Sequence, residues 1–228
     1  MGVSVLGRPL YSVSEAARLL EIPGQKLRRW LDGFTTRGQF YPPVIRPQQT
    51  GSDEVSWAEF VEAGFLREYR VRQVSLQKLR PVVEEMRRAF GVPYPLAHFK
   101  PLVDHSKQEL VLGFQEETGL DAELYLVRRG RNSWQVMWAE PVRAFLEKVE
   151  FDPEGVAERM RPLGKDSPVV IDPNVSFGVP QVGGIRTEIL AEAYAVGEQL
   201  LALAKRYNLT VPDVEAALRW ELRLAKVS

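Results

Sequence analysis

Apolar residues recur at intervals of three and four along residues 11–32, 56–69 and 75–90, alternate with polar ones between 109 and 138, and regain helical spacing after 187. The first stretch opens with Ser12 followed three residues later by Glu15, the reciprocal capping box that satisfies free amides at a helix start. Ala16, Ala17, Leu19 and Leu20 give that helix its buried face. Pro23 and Gly24 end it, proline for want of an amide donor and glycine for its tolerance of a sharp turn. A second helix follows at once, in which Leu27, Trp30 and Leu31 point inward and leave Gln25, Lys26, Arg28 and Arg29 on the open face. Helix, tight turn and helix with a basic outer face is the layout that sets its second element in a DNA major groove. A helical hairpin whose polar face is merely solvated has the same spacing.

After Gly33, a stretch punctuated by Gly38, Pro42, Pro43, Pro47 and Gly51 carries Phe40, Tyr41, Val44 and Ile45 between the breakers, which predicts a short hairpin wing. Arg37 and Arg46 are expected to reach phosphates from it. Ser56 and Glu59 make a second capping box, opening a helix to about Tyr69 with Trp57, Val61 and Phe65 along one side. Ser75 caps another, in which Leu76, Leu79, Val83, Met86 and Phe90 follow the spacing of a two-helix seam, either intramolecular core or a dimer contact. Pro81 removes an internal hydrogen bond there and predicts a kink near Gln77.

Pro93, Pro95 and Pro101 mark a boundary. Beyond it, residues 109–114, 122–127 and 133–138 read as a three-stranded meander, Pro141 opens a short helix over 142–148, and 149–151 and 160–163 return as edge strands. Residues 162–180 contain four prolines and predict an extended strap. Three helices follow. Ile189, Leu190, Ala193 and Tyr194 face inward on the first, Leu200, Leu203, Ala204 and Tyr207 on the second up to Asn208, and Val214, Ala217, Leu218 and Leu222 on a third started by Thr210, Pro212 and Asp213. The expected fold is mainly α with a small central antiparallel β meander, an α+β architecture. It divides into a winged helix-turn-helix over 1–92, a β-rich segment over 93–163, and a strap with a three-helix unit over 164–228.

Composition narrows the chemistry. The 228 residues include no cysteine, so no disulfide, thiolate nucleophile or cysteine-held zinc is available. Charges balance at 30 basic against 30 acidic, but residues 1–95 carry a net +4 and the remainder a net −4, so a polyanion is better tolerated by the front half. His98 and His105 stand near Asp104 and Glu109 in a proline-flanked stretch that reads as surface rather than as a metal site, and the adjacent Glu116 and Glu117 read as a solvated turn. The pair Gly183 and Gly184 lacks a phosphate-loop lysine and reads as a simple turn. No catalytic residue, metal or cofactor is expected, and the protein is expected not to be an enzyme. Apolar runs are too short to span a membrane and no signal sequence opens the chain, so a cytoplasmic location is expected.

The run SVSEAARLLEIPGQKLRRWLD resembles the opening of a MerR-type winged helix-turn-helix, whose recognition helix ends in a Leu-Arg-aromatic stretch matched by Leu27, Arg28, Arg29 and Trp30. The string VVIDPNVSFGVPQVGGIRTEIL and the later AKRYNLTVPDVEAALRWE resemble a domain found in antitoxins of bacterial toxin/antitoxin pairs. Ile171, Asp172, Pro173, Gly178, Pro180, Gly184, Arg186, Tyr207, Leu209, Thr210, Val214, Ala217 and Leu218 fill its pattern, whereas Gly183, Gly184 and Ile185 stand where many members read Gly-Thr-Arg. Together the two look like a VapB-like antitoxin of the large kind paired with PIN-type ribonuclease toxins. The resemblance implies a homodimeric repressor of its own operon, with Ser14, Gln25, Lys26, Arg28, Arg29, Arg37 and Arg46 on operator DNA. It implies Arg186, Arg219, Arg223 and Lys226 on the toxin, where the last three form a cationic ridge facing nuclease carboxylates; the bland alternative is that they only complement the helix dipole. A stand-alone MerR-like regulator that senses a ligand with its carboxy-terminal half is the rival reading.

Overall fold

The computed structural model describes residues 5–98, 125–129, 134–138 and 140–226. The fold is mixed α+β, with a helix-turn-helix at the amino end and small two-stranded antiparallel sheets between helices. Strand β1 (Pro9–Ser12) runs into α1 (Val13–Leu19), and its partner β4 (Glu54–Ser56) runs into α3 (Trp57–Val71). Both helix starts are set locally. Ser56 and Glu59 cap α3 reciprocally, while at Ser12 the cap is one-sided, its hydroxyl accepting the Glu15 amide at 3.1 Å.

Helix α2 (Gly24–Asp32) ends at Gly33, whose φ of 74° only glycine adopts freely and where an added Cβ would lie 2.3 Å from the Tyr41 carbonyl. The chain then turns into the wing, β2 (Phe34–Thr36) against β3 (Gln39–Tyr41), with Phe34 opposite Tyr41 and their rings stacked at 4.9 Å. Arg37 and Gly38, both at positive φ, form its two-residue turn, a backbone whose twist matches that of paired strands. The wing is shorter than the breaker-rich stretch suggested, because Val44, Ile45 and Arg46 fold back into the interior and the Trp30 carbonyl accepts the amides of Val44 and Ile45.

Helix α4 (Leu76–Phe90) contains Pro81, and its Leu79, Val83 and Met86 are buried within the single chain. These three positions of the seam are therefore intramolecular core, and Leu76 and Phe90 are partly buried against it. Strands β5 (Tyr125–Arg129) and β6 (Trp134–Trp138) pair antiparallel; residues 109–114, the first strand of the expected meander, lie outside the described residues. After α5 (Glu140–Leu146), β7 (Val149–Phe151) pairs with β8 (Ala157–Met160), earlier in the chain than the expected 160–163. The proline-rich strap is held by backbone bridges from Ile171 to Met160 and from Val170 to Gln181, and by the Tyr11 hydroxyl donating to the Gly178 carbonyl at 2.8 Å. Gly183 and Gly184 are the turn between β9 (Gln181–Val182) and β10 (Ile185–Arg186). Helices α6 (Thr187–Ala195), α7 (Leu200–Tyr207) and α8 (Val211–Leu224) complete the chain.

One large buried cluster links most of these segments, and a second, Leu203, Ala204 and Val214, lies between α7 and α8. The large one joins Leu27 and Trp30 of α2, Trp57 and Phe65 of α3, Phe145, Ile171 and Trp220 of α8. Fully burying each large apolar side chain contributes about 1.5–3 kcal/mol, so α2 is pinned by its inner face to the mass of the protein. The Trp57 indole also donates to the Ala157 carbonyl at 2.8 Å. Among the described residues no helix is long and apolar enough to cross a membrane.

Candidate nucleic-acid interface

The inner face of α2 is closed and its outer face is open. Leu27 and Leu31 are fully buried and Trp30 nearly so, while Gln25, Lys26, Arg28 and Arg29 are exposed. The expected division of this helix is present. Ser14, on the neighbouring helix α1, is also exposed, its hydroxyl 3.0 Å from that of Ser12.

Two of the arginines are steadied without being neutralised in the interior. Arg28 pairs with Asp53, and both side chains are half-exposed or more. Such surface pairs contribute about 0–1 kcal/mol, so a phosphate can replace the carboxylate. The Arg29 guanidinium sits over the Phe34 ring at 5.1 Å, and among the described residues no carboxylate pairs with it. Stacking on a ring that itself stacks on Tyr41 narrows the space Arg29 explores while leaving its edge N–H groups free to donate. Lys26 is exposed one turn earlier, and Arg37 is exposed at the wing tip.

Arg46 requires a correction. Its side chain is 2% exposed, donating from Nε to Glu59 at 2.8 Å and from Nη1 to Asp32 at 2.9 Å. Further bonds reach the Thr50 hydroxyl and the Ser52 and Glu54 carbonyls. Arg46 is thus a structural cation that ties the end of α2 to the start of α3, and it does not reach a phosphate. Burial pushes the Asp32 carboxyl up, but the Thr50 amide, Arg46 and the Gly51 amide together hold it below the usual carboxylate range.

Toward the carboxy end of the chain, Arg186, Arg219, Arg223 and Lys226 are all exposed. Arg223 is nevertheless engaged within the chain, donating to Glu21 at the end of α1 at 3.0 Å, where Arg67 donates to the same carboxylate. The ridge expected on α8 is therefore interrupted in the middle, with Arg219 and Lys226 left facing out. The more prominent feature of this region is apolar rather than charged. Large apolar side chains are exposed on it: Ile189, Tyr194, Val196 at 83% exposure, Leu201 at 72% and Leu222. Ile189, Tyr194 and Leu222, expected to face inward, are exposed, whereas Leu190, Leu203, Val214 and Ala217 are buried as expected, together with Trp220. A hint lay in the sequence, since α6 and α7 carry more apolar residues than one buried stripe of a short helix accommodates.

Histidine chemistry is sparse. His98 is half-buried, and burial holds its imidazole below the usual range against the opposing pull of Asp152. His105, Asp104, Glu109, Glu116 and Glu117 lie outside the described residues. Among the described residues no three metal-ligating side chains converge.

Comparison with known proteins agrees with the geometry of the amino end. Residues 9–83 match a family model described as "Putative DNA-binding HTH domain". Over 98% of its length the chain is 32% identical to "Uncharacterized protein Rv2308" of Mycobacterium tuberculosis, covering 95% of that protein. It is 30% identical to "Putative antitoxin VapB45" of the same organism, over 92% of each chain. The chain belongs to the VapB45 family. Among solved structures, the crystal structure of Rv2018 from M. tuberculosis superposes with a TM-score of 0.75 at 26% identity, over 94% of this chain and all of the other. The similarity to VapB45 spans most of the chain and is not confined to the helix-turn-helix.

Proposed function

We propose that this protein is a cytoplasmic antitoxin that neutralises a PIN-type ribonuclease toxin through its carboxy-terminal helices and, as a homodimer, represses its own operon through a MerR-type winged helix-turn-helix. The observation that carries the reading is the division of labour along one chain of the VapB45 family. An open cationic helix face lies at the amino end, and bare apolar side chains lie at the carboxy end. Gln25, Lys26, Arg28 and Arg29 would contact base edges and phosphates, with Ser14 and Arg37 flanking them. One nine-residue helix spans few base pairs, and two copies double the contacts.

Burying Val196, Leu201 and their neighbours against a partner would supply the apolar centre of an interface, and Arg186, Arg219 and Lys226 would form its polar rim. Co-expression with the adjacent toxin gene tests this directly. Wild type should restore growth and co-purify with the toxin. Leu201→Glu should weaken the complex about 30-fold, equivalent to roughly 2 kcal/mol for the loss of an anchor, while leaving DNA binding intact. Toxin binding unchanged by both Leu201→Glu and Val196→Glu would move the toxin off this face. Failure of the wild type to rescue growth would favour a stand-alone regulator.

A further inference from the structure

Beside the outer face of α2 lies an open groove of about 680 Å³ between the recognition helix, the wing and the junction of α3 with α4. Lys26 and Arg29 enter it from α2, Arg70 from α3 and Arg80 from α4. Among the described residues no carboxylate lines it. Four cations facing one concavity repel one another, and an arrangement of this kind is stabilised when an anion is present.

The two arginines remote from α2 are held in place by neutral groups. Arg70 donates to the Val74 carbonyl at 2.7 Å and Arg80 to the Pro42 carbonyl at 2.9 Å. A carbonyl fixes the direction of a guanidinium without cancelling its charge. Nε of Arg80 is buried and meets no acceptor among the described residues, a costly state for a donor unless an acceptor arrives. Arg87 further fixes the groove's wall by donating to the Val44 and Ile45 carbonyls, so that α4 and the segment behind the wing move together.

We propose that this groove seats the sugar-phosphate strand flanking the bases read by α2, with Arg70 and Arg80 as phosphate contacts that fix the register of the duplex. Because Lys26 and Arg29 belong both to the groove and to the open face of α2, a duplex lying on that face passes its backbone along the groove. Guanidinium groups suit phosphodiester oxygens, which accept two parallel N–H bonds. This inference rests on the DNA-binding reading above and adds to it two residues from outside the recognition helix and the wing.

The test uses the full-length protein and a duplex from its own promoter, with affinity measured from 50 to 200 mM salt. Arg70→Gln and Arg80→Gln each keep an amide to donate to the anchoring carbonyl but lose the charge. Each should make the slope of log affinity against log salt shallower by about 2, one phosphate contact from each protomer of the dimer, with sequence preference unchanged. Lys205→Gln, an exposed cation on α7, should leave the slope as in the wild type. Matching thermal unfolding curves identify variants that remain folded. A steep wild-type slope that both folded groove variants retain overturns the groove assignment and leaves the DNA reading standing. A shift in sequence preference on removing either arginine also overturns it, because it would mean base contact rather than strand positioning. No salt-dependent complex from the wild type removes both.

Discussion

Arg46→Ala should lower the free energy of unfolding by about 3–5 kcal/mol, the usual consequence of removing one partner from a buried ion pair. The size follows from what is left behind. Asp32 and Glu59 are both almost fully buried, and without Arg46 they face each other's charge across an emptied site from which water is largely excluded. Glu59 is also the reciprocal cap of α3, accepting the Ser56 amide at 2.8 Å, so loosening it frays that helix start. Asp32 accepts the amides of Thr50 and Gly51 at 3.0 Å, so the loop into β4 loosens as well. Arg37→Ala, at the exposed wing tip, should change stability by less than about 0.5 kcal/mol. Urea unfolding of the two variants makes the comparison, and equal midpoints would mean that Arg46 is not the buried tie described.

The second large effect is a dependence of stability on pH that one side chain creates. Glu62 is fully buried, and burial raises its carboxyl from the ordinary 4.5 to about 8. Arg87 opposes the rise only at 3.5 Å, because the same guanidinium also donates to Val44 and Ile45; the Leu96 amide at 3.0 Å opposes it too. The folded state therefore keeps a proton that the unfolded chain gives up at lower pH. Stability is full below pH 4.5, declines as pH rises from 4.5 to about 8, and is then flat with respect to this group. At about 1.4 kcal/mol for each pH unit, this decline amounts to about 3–5 kcal/mol. Glu62→Gln should match the wild type at pH 5 and exceed it at pH 8.5, since a neutral amide keeps an acceptor for Leu96 and carries no charge. Denaturant midpoints of both proteins at the two pH values test this, and an equal decline in the variant would assign the pH dependence to other groups.

Local signals in the sequence were reliable where a few neighbouring residues decide the outcome. The cap of α3 at Ser56, the start of α8 at Thr210 with Asp213, and the inward set Leu27, Trp30 and Leu31 depend on residues within one or two turns. What escaped depends on distant partners. An arginine in a proline-rich stretch reads as a surface cation, and nothing nearby in the chain shows that Asp32 and Glu59, some fourteen residues away on either side, enclose it. Arg70 and Arg80 belong to two separate helices, and only the fold brings them beside α2. Ile189 and Tyr194 of α6 and Leu222 of α8 read as core because hydropathy does not distinguish a side chain buried in its own chain from one left for a partner.

The DNA-binding proposal stands or falls with the outer face of α2, steadied by Phe34 and backed by the core. Titration of the full-length protein with promoter duplex, at 50 and 200 mM salt, tests it most directly when the Lys26→Ala/Arg29→Ala variant is measured alongside. Wild-type affinity should fall by about a thousandfold over that range, as for a dimer making six or more phosphate contacts, and the double variant should bind far more weakly at low salt with a visibly shallower dependence. Affinity that scarcely moves with salt, or a double variant that binds as the wild type does, would contradict it.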